Sequence, residues 1–132
     1  MNLLLSLLLL LGGTQSGTGM KANQAGARLV SAKTACIKLA NGSQEDLATA
    51  RRELKKWGRF KVVESCPQAD VAVWLASRNL PAADICGATL QVLGAQDNAV
   101  LWTGSMRCKT KTSPLVVRLI RQLKTDISHT KK

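Results

Sequence analysis

Cys86-Gly87-Ala88-Thr89-Leu90-Gln91-Val92 and Trp102-Thr103-Gly104-Ser105-Met106-Arg107-Cys108 flank Gln96-Asp97-Asn98 as two alternating stretches. Strand side chains alternate faces with period two, so each stretch reads as a half-buried strand. With Gln96-Asp97-Asn98 as the loop, Val92 pairs with Trp102 and Leu90 with Gly104. Ala88 then pairs with Met106, and Cys86 with Cys108. These eight residues share one face, while Thr89, Gln91, Thr103, Ser105 and Arg107 share the other. The result is an antiparallel hairpin with a dry side and a wet side. Its register makes Cys86–Cys108 the preferred disulfide, expected at a non-hydrogen-bonded pair where opposed residues are close enough to bridge. Such a bridge is worth ~3 kcal/mol on the chain-entropy model.

Working outward, Asp70 to Ala76 is almost wholly apolar, as a central strand requires. Arg78 to Asp84, which contains Pro81, reads as a loop. Ser43 fits a helix N-cap, and Glu45 and Asp46 in the first turn suit the helix dipole. That helix runs to Trp57 and stops at Gly58. Leu47, Ala50, Leu54 and Trp57 fall on one side of it. Arg51, Arg52, Lys55 and Lys56 fall on the opposite side, with Arg59 just past the end. Arg59 to Ser65 reads as a strand closed by Pro67. Thr34 to Ala40 reads as a strand containing Cys36, followed by an Asn41-Gly42 turn. Ser113-Pro114 opens a last helix with an apolar stripe of Leu115, Val116, Leu119, Ile120, Leu123 and Ile127. Arg118, Arg121 and Lys124 lie outside that stripe, and the chain is expected to fray from Ser128. These elements predict a single α+β domain over residues 33–128, with a tail at 129–132. Its architecture is a two-layer sandwich, a mainly antiparallel sheet of four to five strands with two helices on one face.

Residues 1–19 carry no charge, and Leu3 to Leu11 is leucine broken only by Ser6. The run is shorter than the roughly 20 apolar residues a membrane span needs. It has the length of a secretory h-region, followed by small residues at Gly13, Ser16, Gly17 and Gly19. A signal peptide is expected over 1–19, cleaved after Ser16 or Gly19, although Met1-Asn2 lacks the usual basic residue. The mature protein is then periplasmic or secreted, with no transmembrane segment. Residues 20–32 read as a tether ending in a short strand at Arg28-Leu29-Val30. An even set of four cysteines without a C-x-x-C pair reads, in an exported domain, as two disulfides with three formal connectivities. Once Cys86 pairs with Cys108, Cys36–Cys66 follows by elimination. A four-cysteine zinc site competes with oxidation outside the cell and is not expected.

Leu54 to Val63, with Lys55-Lys56-Trp57-Gly58-Arg59-Phe60-Lys61-Val62-Val63, has the look of a helix-to-strand passage in small exported domains. Ala69-Asp70-Val71-Ala72-Val73 and Val100-Leu101-Trp102 continue the pattern, and an amphipathic helix closes it. Over about residues 44–128 the chain resembles the TolB amino-terminal domain and related bacterial envelope domains, including curli-assembly and penicillin-binding-protein activator types. The resemblance implies a non-catalytic, protein-binding role in the periplasm. Four cysteines and a strongly basic balance depart from that pattern, so no functional residue is transferred.

Catalytic apparatus is sparse. The single histidine, His129, lies in the tail, poorly placed to act as a base for any nucleophile. There is no Walker A loop and no G-x-G-x-x-G, and no cofactor or metal is expected. Glu64, Asp70, Asp84 and Asp97 fit turn and cap positions better than a glycosidase-type pair. Nineteen Lys and Arg against eight Asp and Glu give +11, which attracts polyanions or acidic proteins. The densest patch is Arg51, Arg52, Lys55, Lys56 and Arg59; Arg107, Lys109 and Lys111 form a second. Trp57, Trp74 and Trp102 sit at core positions and offer no stacking platform, so sequence-specific nucleic-acid recognition is not expected. The leading expectation is an exported module that binds another protein or envelope component through the basic helix face. The alternatives are a non-specific binder of nucleic acid, anionic lipid or polymer, then a small hydrolase or an inhibitor of a secreted enzyme.

Overall fold

The computed structural model describes residues 22–83, 85–108 and 112–130. The signal-peptide reading, Asp84, Lys109 and Lys111 lie outside the described residues. In chain order the elements are helix α1 (Ala22–Ser31), strand β1 (Thr34–Asn41), helix α2 (Gln44–Trp57) and strand β2 (Lys61–Val62). Strands β3 (Val71–Leu80), β4 (Ile85–Gly94) and β5 (Val100–Arg107) follow, and helix α3 (Ser113–Thr130) closes the domain. Short 3-10 turns occupy Cys66–Gln68 and Pro81–Ala83.

The five strands form one sheet in the order β2-β1-β3-β4-β5. β1 runs parallel to β2 and β3, and β4 is antiparallel to β3 and β5. The antiparallel half is the longer, and β3 is the middle strand, as its apolar sequence requires. β3 continues through Arg78 to Leu80 where a loop was expected, because its edge pairs with Ile85–Gly87 of β4.

The hairpin register matches the expected one: Ala88↔Met106, Leu90↔Gly104 and Val92↔Trp102. A bulge at Leu101 shifts the next pair to Leu93↔Val100. Cys86 and Cys108 are bridged with Cα atoms 5.2 Å apart, and Cys36 and Cys66 with Cα atoms 5.1 Å apart. One detail differs: the Cys108 amide donates to the Cys86 carbonyl at 3.1 Å, so this bridge spans a hydrogen-bonded pair.

Two further expectations are corrected. Residues 22–31 form helix α1 rather than a tether ending in a strand, so three helices, not two, cover the sheet. Leu29 and the following Ala32 are buried in the core, and the Arg59 guanidinium donates to the Val30 and Ala32 carbonyls. A cation on the last carbonyls stabilises a helix end that has poor intrinsic propensity. The C-terminal helix also holds through Thr130, whose hydroxyl donates to the Asp126 carbonyl at 2.9 Å.

The main core joins the helices to one sheet face. Leu54 of α2 and Leu115, Val116, Leu119, Ile120, Leu123 and Ile127 of α3 pack on Val71, Val73, Leu75, Leu90 and Val92. On the reverse face a smaller cluster of Cys36, Ala69 and Ala72, with Trp74 and Cys66 against it, sits beneath the disulfide. The rest of that face has no helix over it among the described residues.

Candidate functional site

Helix α2 is specified locally. The Ser43 hydroxyl accepts from the Asp46 amide at 3.1 Å, and Gly58 ends the helix with φ 73°. Gly42, with φ 126°, carries the chain from β1 into the helix where a Cβ would collide with the Ser77 hydroxyl. The Asp46 carboxylate, buried at 2% exposure, accepts from Ser77 at 2.8 Å and Thr112 at 2.6 Å. This ties the starts of α2 and α3 to β3. At their other ends, Lys124 of α3 lies over the Trp57 ring at 5.7 Å. The two helices therefore run parallel, side by side.

Their solvent side is basic. Arg52, Lys55 and Lys56 of α2 and Arg118 and Arg121 of α3 are exposed, so the face predicted on one helix extends over two. Glu53 offsets part of it, lying 3.6 Å from Arg52 and 3.9 Å from Lys56. Two residues assigned to this face are only partly exposed. Arg51 is half-buried, and Arg59 is committed to the end of α1, with its guanidinium 5.4 Å from the Phe60 ring. Arg59 fell into the patch by sequence proximity, and no local signal marked its carbonyl partners.

Three further aspartates are occupied elsewhere in the fold. Asp97 forms a bidentate pair with Arg28 at 2.9 and 3.1 Å. Asp126 accepts from the Trp102 indole at 2.7 Å and from Gln122 at 2.9 Å. Asp70 accepts from the Lys33 and Thr34 amides at 2.8 and 3.2 Å. Those two amides hold the Asp70 carboxyl below its ordinary 3.8, and the Arg28 guanidinium does the same to Asp97. This is opposite to the upward shift a general acid needs near neutrality. No group of three or more His, Cys, Asp or Glu among the described residues could hold a metal ion.

The lowered Asp70 value makes a pH prediction. The unfolded chain binds this proton first, so the stability from Asp70 is complete above about pH 4–5. It is lost as pH falls below 3.8 through the folded value. Asp70→Asn is expected to lower the melting temperature modestly at pH 7 and to leave a shallower acid limb. Parallel melting curves of the two proteins between about pH 2 and 4 would contradict the assignment.

No protein-family model matches the sequence, and no curated protein matches it. Among solved structures, the PelC dodecamer from Paraburkholderia phytofirmans gives a TM-score of 0.47 at 17% identity, covering 72% of this chain and 86% of that one. The LpoB C-terminal domain from Salmonella enterica gives 0.47 at 11%, covering 73% of this chain and 100% of that one. Lipoprotein GNA1162 from Neisseria meningitidis gives 0.42 at 12%, over 73% and 97%. None of these three is named as a TolB or curli-assembly domain. At these identities and scores no residue role or partner passes from them to this chain.

Proposed function

We propose that this is a non-catalytic, exported binding module that contacts another envelope protein or envelope component through the solvent face of α2 and α3. One observation carries the reading: five exposed cations, Arg52, Lys55, Lys56, Arg118 and Arg121, share this side of two parallel helices. Glu53 offsets part of this charge, while Asp46, Asp70, Asp97 and Asp126 are held by contacts elsewhere in the fold. A surface of one sign steers a partner of the other sign and fixes its orientation. The two disulfides support an oxidising compartment. Among the described residues, no helix is long and apolar enough to cross a membrane.

The test is capture from an extracytoplasmic extract with the native protein and with the double variant Arg52→Glu/Lys56→Glu. The native protein is expected to retain one dominant partner, and the variant to lose about 10-fold or more in affinity, the scale of close interfacial charge pairs. Equal capture by both removes this face from the interface.

A second reading rests on the basic residues of the opposite side, where Lys38, Arg78 and Arg107 are also exposed. Charge on both sides suits binding of polyanions by bulk potential. That reading predicts affinity falling steeply with salt and little choice among DNA, heparin and anionic vesicles.

A further inference from the structure

We propose that the sheet face opposite α1, α2 and α3 carries a second site, an oxyanion site for a small amphipathic anion, built on the cross-strand rung Arg78–Gly87–Arg107. The site is separate from the helix face and independent of the reading given for it. Arg78 of β3 pairs with Gly87 of β4, and Gly87 pairs with Arg107 of β5. Residues paired across a sheet share a face, and neighbouring strands lie about 4.8 Å apart. The two arginines therefore rise about 10 Å apart over a position with no side chain. Both are exposed, and among the described residues neither forms an ion pair. Two like charges facing across a bare glycine repel, and an oxyanion between them relieves that repulsion. Guanidinium forks match carboxylate and phosphate oxygens.

The neighbouring rungs complete the site. On one side lies Ala76–Thr89–Ser105, where the Thr89 and Ser105 hydroxyl oxygens are 2.9 Å apart. Whichever hydroxyl donates, the other keeps its proton for an outside acceptor. On the other side Leu80 pairs with Ile85, and they are 49% and 40% exposed. These are two large apolar residues that the core does not use. A cleft of about 440 Å³ is lined by Arg78, Gly87, Arg107, Thr89, Ser105 and Ile85, among others. That size suits a small molecule. The Cys86–Cys108 bridge adjoins Gly87 and Arg107 and fixes the spacing of the rung. A free inorganic anion leaves Ile85, the exposed apolar residue of the cleft wall, unused, and a neutral apolar ligand leaves the arginines unanswered. The fitting occupant is one carboxylate or phosphate on an apolar body, bound as a free molecule.

The test is an NMR titration of the full chain with sodium dodecanoate below its micellar concentration. Saturable shifts are expected at the Ala76, Gly87 and Arg107 amides. Arg78→Gln/Arg107→Gln is expected to bind at least 10-fold more weakly, as are dodecyltrimethylammonium and inorganic phosphate to the native chain. If the double variant fails to fold, the native shift map and the two control ligands decide. Shifts confined to α2 and α3, equal binding of the cationic amphiphile, or no saturable shift would overturn the site. Phosphate binding as tightly as dodecanoate overturns its amphipathic character. Binding to phosphatidylglycerol vesicles that dodecanoate does not compete away overturns the free molecule as occupant.

Discussion

Replacing Cys36 and Cys66 by serine is expected to lower the urea midpoint of unfolding by roughly 1–3.5 M. The bridge closes a separation of 30 residues, worth about 3.5 kcal/mol in loop entropy. Small proteins lose about 1–3 kcal/mol of stability per molar urea, which converts that energy to the midpoint shift. The bridge also holds the Cys66–Gln68 turn against Cys36, Ala69, Ala72 and Trp74, the only buried cluster on the reverse face among the described residues. The second bridge closes 22 residues and is worth nearly as much. Together they amount to about 7 kcal/mol, comparable to a typical domain's 5–15 kcal/mol. Full reduction should therefore leave the chain largely unfolded at about 37 °C. Circular dichroism melts with and without a reducing agent measure this directly. A reduced protein that melts within a few degrees of the oxidised one would show that the packed core suffices without either bridge.

Asp46→Ala is expected to cost about 3 kcal/mol. The carboxylate accepts from Ser77 on β3 and from Thr112 ahead of α3 while sitting in the first turn of α2. Hydrogen bonds to a charged group contribute about 1.5–3 kcal/mol each, and an orphaned buried hydroxyl adds a desolvation penalty. Removing Ser77 and Thr112 as well should recover much of the loss, because neither hydroxyl is then left unpaired. The triple variant Asp46→Ala/Ser77→Ala/Thr112→Val is expected to be more stable than Asp46→Ala alone. Denaturant melts of the set measure the coupling. Additive losses would mean the three residues do not act as one unit.

The parts legible in the sequence were those with short-range causes. The alternation from Cys86 to Cys108 carried the hairpin register, because period two leaves one pairing that buries Leu90 and Val92. Ser43 and Gly58 marked both ends of α2, since caps and left-handed stops are local requirements. Helix α1 was not legible. Its sequence ANQAGARLVS is too short to hold a helix alone and is interrupted by Gly26, and its support comes from distant residues. Arg59 caps it, Arg28 pairs with Asp97, and Gly26 sits against Thr130 where a Cβ would crowd. The same long-range contact removed Arg59 from the predicted face. The parallel pairing of β1 with β3 was hidden for a related reason, as nothing local records which strands become neighbours. For the site, the amphipathic pattern of α2 showed Arg52, Lys55 and Lys56. Only the parallel packing of α3 added Arg118 and Arg121.

The most direct test of the central claim places a photo-crosslinking residue at Lys55 on the helix layer and, separately, at Thr103 on the reverse sheet face, both exposed. The protein is expressed with export across the inner membrane and irradiated. A single dominant adduct from position 55 and none from position 103 is the predicted result. An adduct from position 103 with none from position 55 would place the interface on the sheet and contradict the account.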